Sequence, residues 1–200
     1  MNLQTSILTP KILLQIFPQI TKQIERDRLQ HFIEEAEFEF VKEKITDALY
    51  IELLDYINLM LETGIERTFD KTFDFTFNLP ADKNEAFEGL LNGGRFIAQN
   101  CNDSGVRVFK GLFTAIAYYA FSKLISQNDK NVTRFGYVAK TDEYSESIDF
   151  KTQQNDERKY QNIADRYISD CITFVKSHPA YFTMFSKPIL KGRINITVLN

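Results

Sequence analysis

One stretch governs what this chain can fold into. From Phe109 to Ile125 the apolar residues Phe109, Leu112, Phe113, Ile116, Ala117, Ala120, Phe121, Leu124 and Ile125 alternate spacings of three and one, and Tyr118 and Tyr119 add apolar bulk off that stripe. A helix this apolar on most sides is central and is packed by several neighbours. It is not a membrane span: its longest apolar region, Gly111 to Ile125, is interrupted by Ser122 and Lys123, and a span needs roughly 20 apolar residues.

The segments on either side supply the neighbours. Leu29, Phe32, Ile33, Ala36 and Phe40 recur at helical spacing in a long helix expected from Gln23. Thr46 or Asp47 caps a second helix carrying Leu49, Leu53, Leu54, Ile57 and Leu61, which Gly64 ends. A short helix runs from Asn84 to Leu91 into the turn Asn92-Gly93-Gly94, and Arg95 to Asn100 has the makings of a short strand. A last long helix starts near Asn155 or Asp156, with Tyr160, Ile163, Ala164, Tyr167, Ile168, Cys171, Ile172 and Val175 as its stripe and Pro179 as its stop. Residues 126–152 lack helical periodicity and read as a long loop.

Two segments switch to period 2. Phe69, Phe73, Phe75, Phe77 and Leu79 alternate with Asp70, Thr72, Asp74, Thr76 and Asn78, broken only by Lys71, and Pro80 closes the run. Ile194, Ile196 and Val198 alternate with Asn195 and Thr197. Phe69, Phe73, Phe75, Phe77, Ile194, Ile196 and Val198 are therefore the candidate interface residues, with ordinary core packing as the competing account. The expected architecture is mainly α, a helical bundle with a short β element at 69–79 and a strand-like C-terminal tail. An N-terminal arm spans 1–20, with Thr9 and Pro10 starting a helix and Pro18 breaking it. A helical domain spans 21–185, with a β insertion at 65–83 and the loop at 126–152, and a tail spans 186–200.

Composition narrows the function classes. At 200 residues and 44% hydrophobic the chain buries a core without staples. Net charge is −3, from 24 Lys+Arg against 27 Asp+Glu, and no basic block appears in the sequence. A protein gripping phosphates would show a basic face, so nucleic acid is expected to pass by rather than be held. The first residues lack a basic start and a small-residue cleavage site, so no signal peptide is expected. Cys101 and Cys171 stand far apart with no CxxC pair or Cys/His cluster; two buried thiols is the plainer reading, with a disulfide between them as the alternative.

Candidate chemistry is thin. His31 and His178 have no spacing relation to each other or to a carboxylate pair, so neither a metal nor a cofactor is expected. His178 stands at a helix end, where a partial positive charge suits the dipole. Glu34-Glu35 and Glu37-x-Glu39 lie between apolar helix positions and read as a solvated face. Asn92-Gly93-Gly94 lacks the lysine and spacing of a phosphate loop and reads as a turn needing positive φ. Ser104, Ser145 and Ser147 have no base at a suggestive position. No catalytic residue is assigned and no enzymatic activity is expected.

Several segments together resemble a family. Phe32-Ile33-Glu34-Glu35-Ala36-Glu37 followed by Leu49-Tyr50-Ile51-Glu52-Leu53-Leu54 resembles the N-terminal helical pair of small phage connector proteins. Leu90-Leu91-Asn92-Gly93-Gly94 and Gly111-Leu112 with Ala117-Tyr118-Tyr119-Ala120 resemble their middle section, and Gly136-Tyr137-Val138-Ala139-Lys140 with Glu143-Tyr144-Ser145-Glu146 the loop that follows. The order is similar to that of head-to-tail connector (neck ring) proteins of tailed bacteriophages of Bacteroides-type hosts, including the crAss-like phages. Where that family turns its first helical pair on a glycine, Ile45-Thr46-Asp47 stands here. The resemblance implies a helical-bundle adaptor in the virion neck, made in the host cytoplasm. It would form a homo-oligomeric, twelve-fold ring bound to the portal and to other neck and tail proteins, extending a channel through which DNA passes. The competing account is a small helical DNA-binding transcription regulator, which needs a basic recognition helix near one end; the N-terminal helix here is rich in glutamate.

Overall fold

The computed structural model describes residues 4–20, 24–65, 69, 76–77, 80, 82–97, 106–127, 130–133, 136–139 and 150–185. The protein is mainly α-helical. In chain order the described elements are α1 (Pro10–Ile16), α2 (Arg26–Ala36), a π turn (Glu37–Val41), α3 (Lys42–Ile45), α4 (Asp47–Glu62), β1 (Thr76–Phe77), α5 (Lys83–Asn92), β2 (Gly94–Ile97), β3 (Val106–Phe109), α6 (Gly111–Gln127), β4 (Lys130–Thr133), β5 (Gly136–Ala139) and α7 (Phe150–Ser177).

Helix α6 is the axis of the bundle. Leu112, Phe113, Ala115, Ile116, Ala117, Tyr119, Ala120 and Leu124 are all buried, as the apolar run predicts. It packs most extensively on α7, then on α2 and α5. Its start differs from the expectation by two residues: Phe109 ends β3, and the helix begins at Gly111. The break is made by Gly111, whose φ of +73 is open to glycine and strained for other residues. A Cβ on Gly111 would lie 2.3 Å from the Gly93 nitrogen, and one on Gly93 (φ +92) would lie 2.5 Å from the Phe109 carbonyl oxygen. The α5–β2 turn and the β3–α6 turn thus pass backbone against backbone, which only two glycines permit.

The helix expected from Gln23 begins at Arg26 and runs through the π turn to Ile45, where Thr46 ends it and caps α4 by accepting from the Leu49 N–H. Helix α7 begins at Phe150, earlier than the Asn155–Asp156 start read from its stripe, and spans 28 residues. Phe150 is the one apolar residue among the five that precede Asn155, so hydrophobic periodicity does not mark this extra turn. Within the segment read as a loop, β4 and β5 pair as an antiparallel hairpin, with Val132 opposite Tyr137. A second sheet has the order β1-β2-β3, with β1 parallel and β3 antiparallel to β2.

Two aromatic groups lock α7 to this frame. At its C-terminal end Phe174 stacks on Phe109 at 4.8 Å and meets Phe96 edge-on at 5.4 Å, while Phe182 stacks on Phe87 of α5. Nearer its start, Tyr160 meets Phe121 edge-on and Tyr167 meets Tyr118 edge-on, and Phe17 from the N-terminal segment stacks on Phe121 at 4.3 Å. Such pairs add about 0.5–1.5 kcal/mol each beyond their buried area. The N-terminal segment read as an arm is part of this body: Ile7, Leu8, Ile12, Leu13, Phe17 and Ile20 are all buried.

Candidate interaction surfaces and a buried carboxylate

The residue that departs furthest from its sequence reading is Glu37. It was expected on a solvated face, yet it is 1% exposed. Leu29, Ile33, Glu37, Val41 and Ile45 form a row at spacing four, and every other member is a buried apolar residue. That row is the signal that would have marked Glu37 as an inward-facing carboxylate. The π turn starts at this residue, and beyond it Phe38 is turned outward, 76% exposed, while Phe40 stacks on Tyr119 at 4.8 Å.

The carboxylate is saturated with donors. The Ile7 N–H donates to Oε2 at 2.9 Å, the Leu8 N–H to Oε1 at 2.8 Å, and the Tyr50 hydroxyl to Oε2 at 2.6 Å. One side chain therefore ties the N-terminal segment, the π turn and α4 together. Burial raises its pKa and the neighbouring charge of Glu34 adds to that, while the hydrogen bonds from Tyr50, Leu8 and Ile7 oppose it; the balance pushes the group from an ordinary 4.5 up to about 7. Around it, Thr5 Oγ1 and Gln30 Nε2 both donate to Glu34 Oε1, and Gln30 also donates to Ser6 Oγ.

A second polar knot joins the two long helical segments across α6. Tyr119 donates its hydroxyl proton to Asp165 Oδ1 at 2.6 Å, and Lys44 donates to both the Tyr119 oxygen, at 2.8 Å, and Asp165. Burial raises the Asp165 pKa, but the hydrogen bonds from Lys44 and Tyr119 and the Lys44 charge outweigh it, so the carboxyl sits below its usual range. Lys123 pairs with Glu39 and Lys83 with Glu52 in the same cross-bracing manner.

The other candidates fall as follows. His31 is exposed and stands 3.5 Å from Glu35 on the next turn. His178 stands at the helix end as expected, directly after α7, and is 4% exposed between Phe96 and Phe174, with its Nδ1–H donating to the Phe174 carbonyl at 2.9 Å. The chain turns back after Pro179, and Phe182 folds onto Phe174, which closes this end. Cys171 is buried, and burial raises its thiol pKa well above the ordinary range, so it is an unreactive core side chain. Gly93 has the positive φ expected of a turn. Among the described residues no group of three or more His, Cys, Asp or Glu is placed to hold a metal, and no helix is long and apolar enough to cross a membrane.

Of the candidate interface residues, Phe69 packs half-buried against the core, its N–H donating to Gln15 Oε1. The backbone of Phe77 pairs with Phe96 of β2 in the same subunit. Phe73, Phe75, Ile194, Ile196 and Val198 lie outside the described residues. An edge that the sequence reading missed is β3: Val106 and Val108 are 62% and 64% exposed, and within the described sheet β3 pairs on one side only. The alternation Val106-Arg107-Val108-Phe109 is the period-2 signal for it, overlooked because Phe109 also fits the helical stripe that follows.

Taken together, the described residues form a helical body that exposes apolar edges. The chain belongs to the DUF6712 family, a family of unknown function, whose model matches residues 66–189, more than half of its length. That span takes in β1, α5, the β2–β3 pair, α6, the β4–β5 hairpin and α7. No curated protein and no solved structure matches the chain.

Proposed function

We propose that this protein is a structural virion component, a subunit of a ring in the neck of a tailed phage that joins the portal to the tail and extends the DNA channel. The observation that carries the reading is the outer edge of β3. Among the described residues an otherwise well-packed helical subunit leaves one side of β3, with its two exposed valines, unpaired, and such an edge favours pairing with another chain. Exposed Phe38, Ile51, Leu59 and Ile65 add apolar surface of the kind an assembly covers. The order of segments that resembles phage connector proteins supplies the biological setting. In that setting the portal, other neck and tail proteins and further copies of the chain are its partners.

The test is deletion of the gene from a phage genome that carries it, with complementation from a plasmid. The expected result is that filled heads and free tails accumulate unjoined, and that the protein is found in purified complemented particles. Normal yields of infectious particles without the protein would overturn the reading.

A further inference from the structure

Two helices of this subunit expose faces of opposite sign. Helix α4 contains no lysine or arginine. Its solvent side carries Ile51, Asp55, Leu59 and Glu62, at spacings of four, four and three, all exposed. Neither Asp55 nor Glu62 has an ion-pair partner among the described residues. Helix α7, about 42 Å long at 1.5 Å per residue, has the reverse pattern. Asn155, Arg158, Lys159, Asn162 and Arg166 fall on one face and are all exposed. With half-buried Ile163 they line a shallow groove of about 660 Å³. Of the acidic residues near this stripe, Asp165 is engaged by Lys44 and Tyr119, Glu157 accepts from Gln161, Asp170 faces Arg166 from the next turn, and half-buried Asp156 flanks the groove on the Ile163 side. This segregation is invisible in a net charge of −3 and in a search for a basic block, because the cations Arg158, Lys159 and Arg166 are spread over about two helical turns.

We propose that the Ile51–Glu62 face of α4 on one copy docks along the Asn155–Arg166 groove of α7 on a second copy of this chain. Within one subunit both faces are open to solvent, so neither covers the other. Asp55 and Glu62 stand seven residues apart, and Arg158 and Arg166 eight, so both pairs project at close to two turns of helix and meet in register when the two helices lie near-parallel or antiparallel. Ile51 and Leu59 bring apolar area that Ile163 and the arginine stems cover. Joining two different faces makes the contact heterologous, the type that closes into rings or propagates. The inference deepens the neck-ring reading by naming the faces that join adjacent subunits, and it rests on that reading only for its setting.

The experiment uses the full-length chain and two charge variants, Arg158→Glu with Arg166→Glu and Asp55→Lys with Glu62→Lys. All four positions are exposed, so melting curves are expected to match the parent. Self-association is measured by sedimentation velocity at low and high salt, about 0.05 and 0.5 M. The parent is expected to associate at low salt and to weaken at high salt. Each variant is expected to lose association at least tenfold, and an equimolar mixture of the two, or one chain carrying all four changes, to regain it. Binding of each protein to a mixed-sequence DNA duplex is measured in parallel by fluorescence anisotropy. A parent that stays monomeric at high concentration, or variants that associate as well as the parent, overturn the α4–α7 contact. So does an α7 variant that loses duplex binding but keeps self-association, which would make the stripe a nucleic-acid face. Restored association by the mixture, with the protein absent from phage particles, upholds this contact and overturns the neck reading alone.

Discussion

Glu37 sets up a pH dependence that a surface glutamate would not. In the unfolded chain its carboxyl loses a proton near 4.5, and in the folded chain near 7. Between those values the folded state holds more protons than the unfolded one, so stability falls as pH rises through the window. The contribution is full below about pH 4.5, is lost above about 7, and amounts to as much as about 3 kcal/mol. Glu37→Gln removes the titration. Denaturant midpoints measured from pH 4.5 to 7.5 should decline for the parent relative to the variant, and parallel curves would show that the carboxylate is better solvated than its burial implies. Thr46 is the second instructive residue. Its φ of +74 is a glycine conformation, at the very place where the resembling connector family turns on a glycine. Its side chain earns part of that strain back by capping α4 at the Leu49 N–H. Thr46→Gly exchanges strain of about 1–3 kcal/mol for a weaker cap and a more flexible unfolded chain. The expected net is a gain of about 0.5–1 kcal/mol in chemical denaturation, and a loss would show that the cap dominates.

At the scale of elements, the crossing of two turns at Gly93 and Gly111 decides where β3 stops and α6 starts. A methyl at Gly111 would overlap backbone atoms of Asn92 and Gly93, which have no side-chain freedom with which to yield. Gly111→Ala should therefore cost at least about 3 kcal/mol, from overlap and positive φ together. Gly64→Ala provides the comparison: its φ is +79 but its Cβ would meet nothing within 4 Å, so only the conformational cost of about 1 kcal/mol remains. Equal losses in the two variants would mean that the turns do not touch as described. The same crossing explains why Phe109, the last residue of β3, was read as the first residue of the helix. Phe109 satisfies both periods, and nothing short of the glycine contact tells them apart.

At the scale of the molecule, folding and the proposed assembly rest on different residues. Ile116 lies at the centre of α6 with no exposed surface. Ile116→Asp would bury an unpaired carboxylate and should leave no soluble, cooperatively melting protein. Val106→Lys with Val108→Lys changes two exposed side chains on the outer strand, so the melting temperature should stay within a few degrees of the parent. If the protein is the neck subunit proposed above, incorporation of this variant into phage particles should fall tenfold or more, because lysines on a strand edge oppose pairing. Normal incorporation of the valine variant would remove β3 from the interface.

What the sequence determined by itself was the helical frame. The position and burial of α6, the stripes of α2, α4 and α7, the Thr9 and Thr46 caps and the glycine turn all follow from local periodicity and backbone preference, and these act over a few residues. The tertiary structure decided everything that depends on which residues far apart in the chain are brought together. Glu37 becomes a buried tie because Ile7, Leu8 and Tyr50 converge on it. His178 becomes a core residue because Phe96 and Phe174, far from it in sequence or a turn away, pack against its ring. The cations of α7 become a continuous face because a helix gathers positions three, four and seven apart. Charge count and composition average over such arrangements, and only the packed chain fixes which side of each helix is left for a partner.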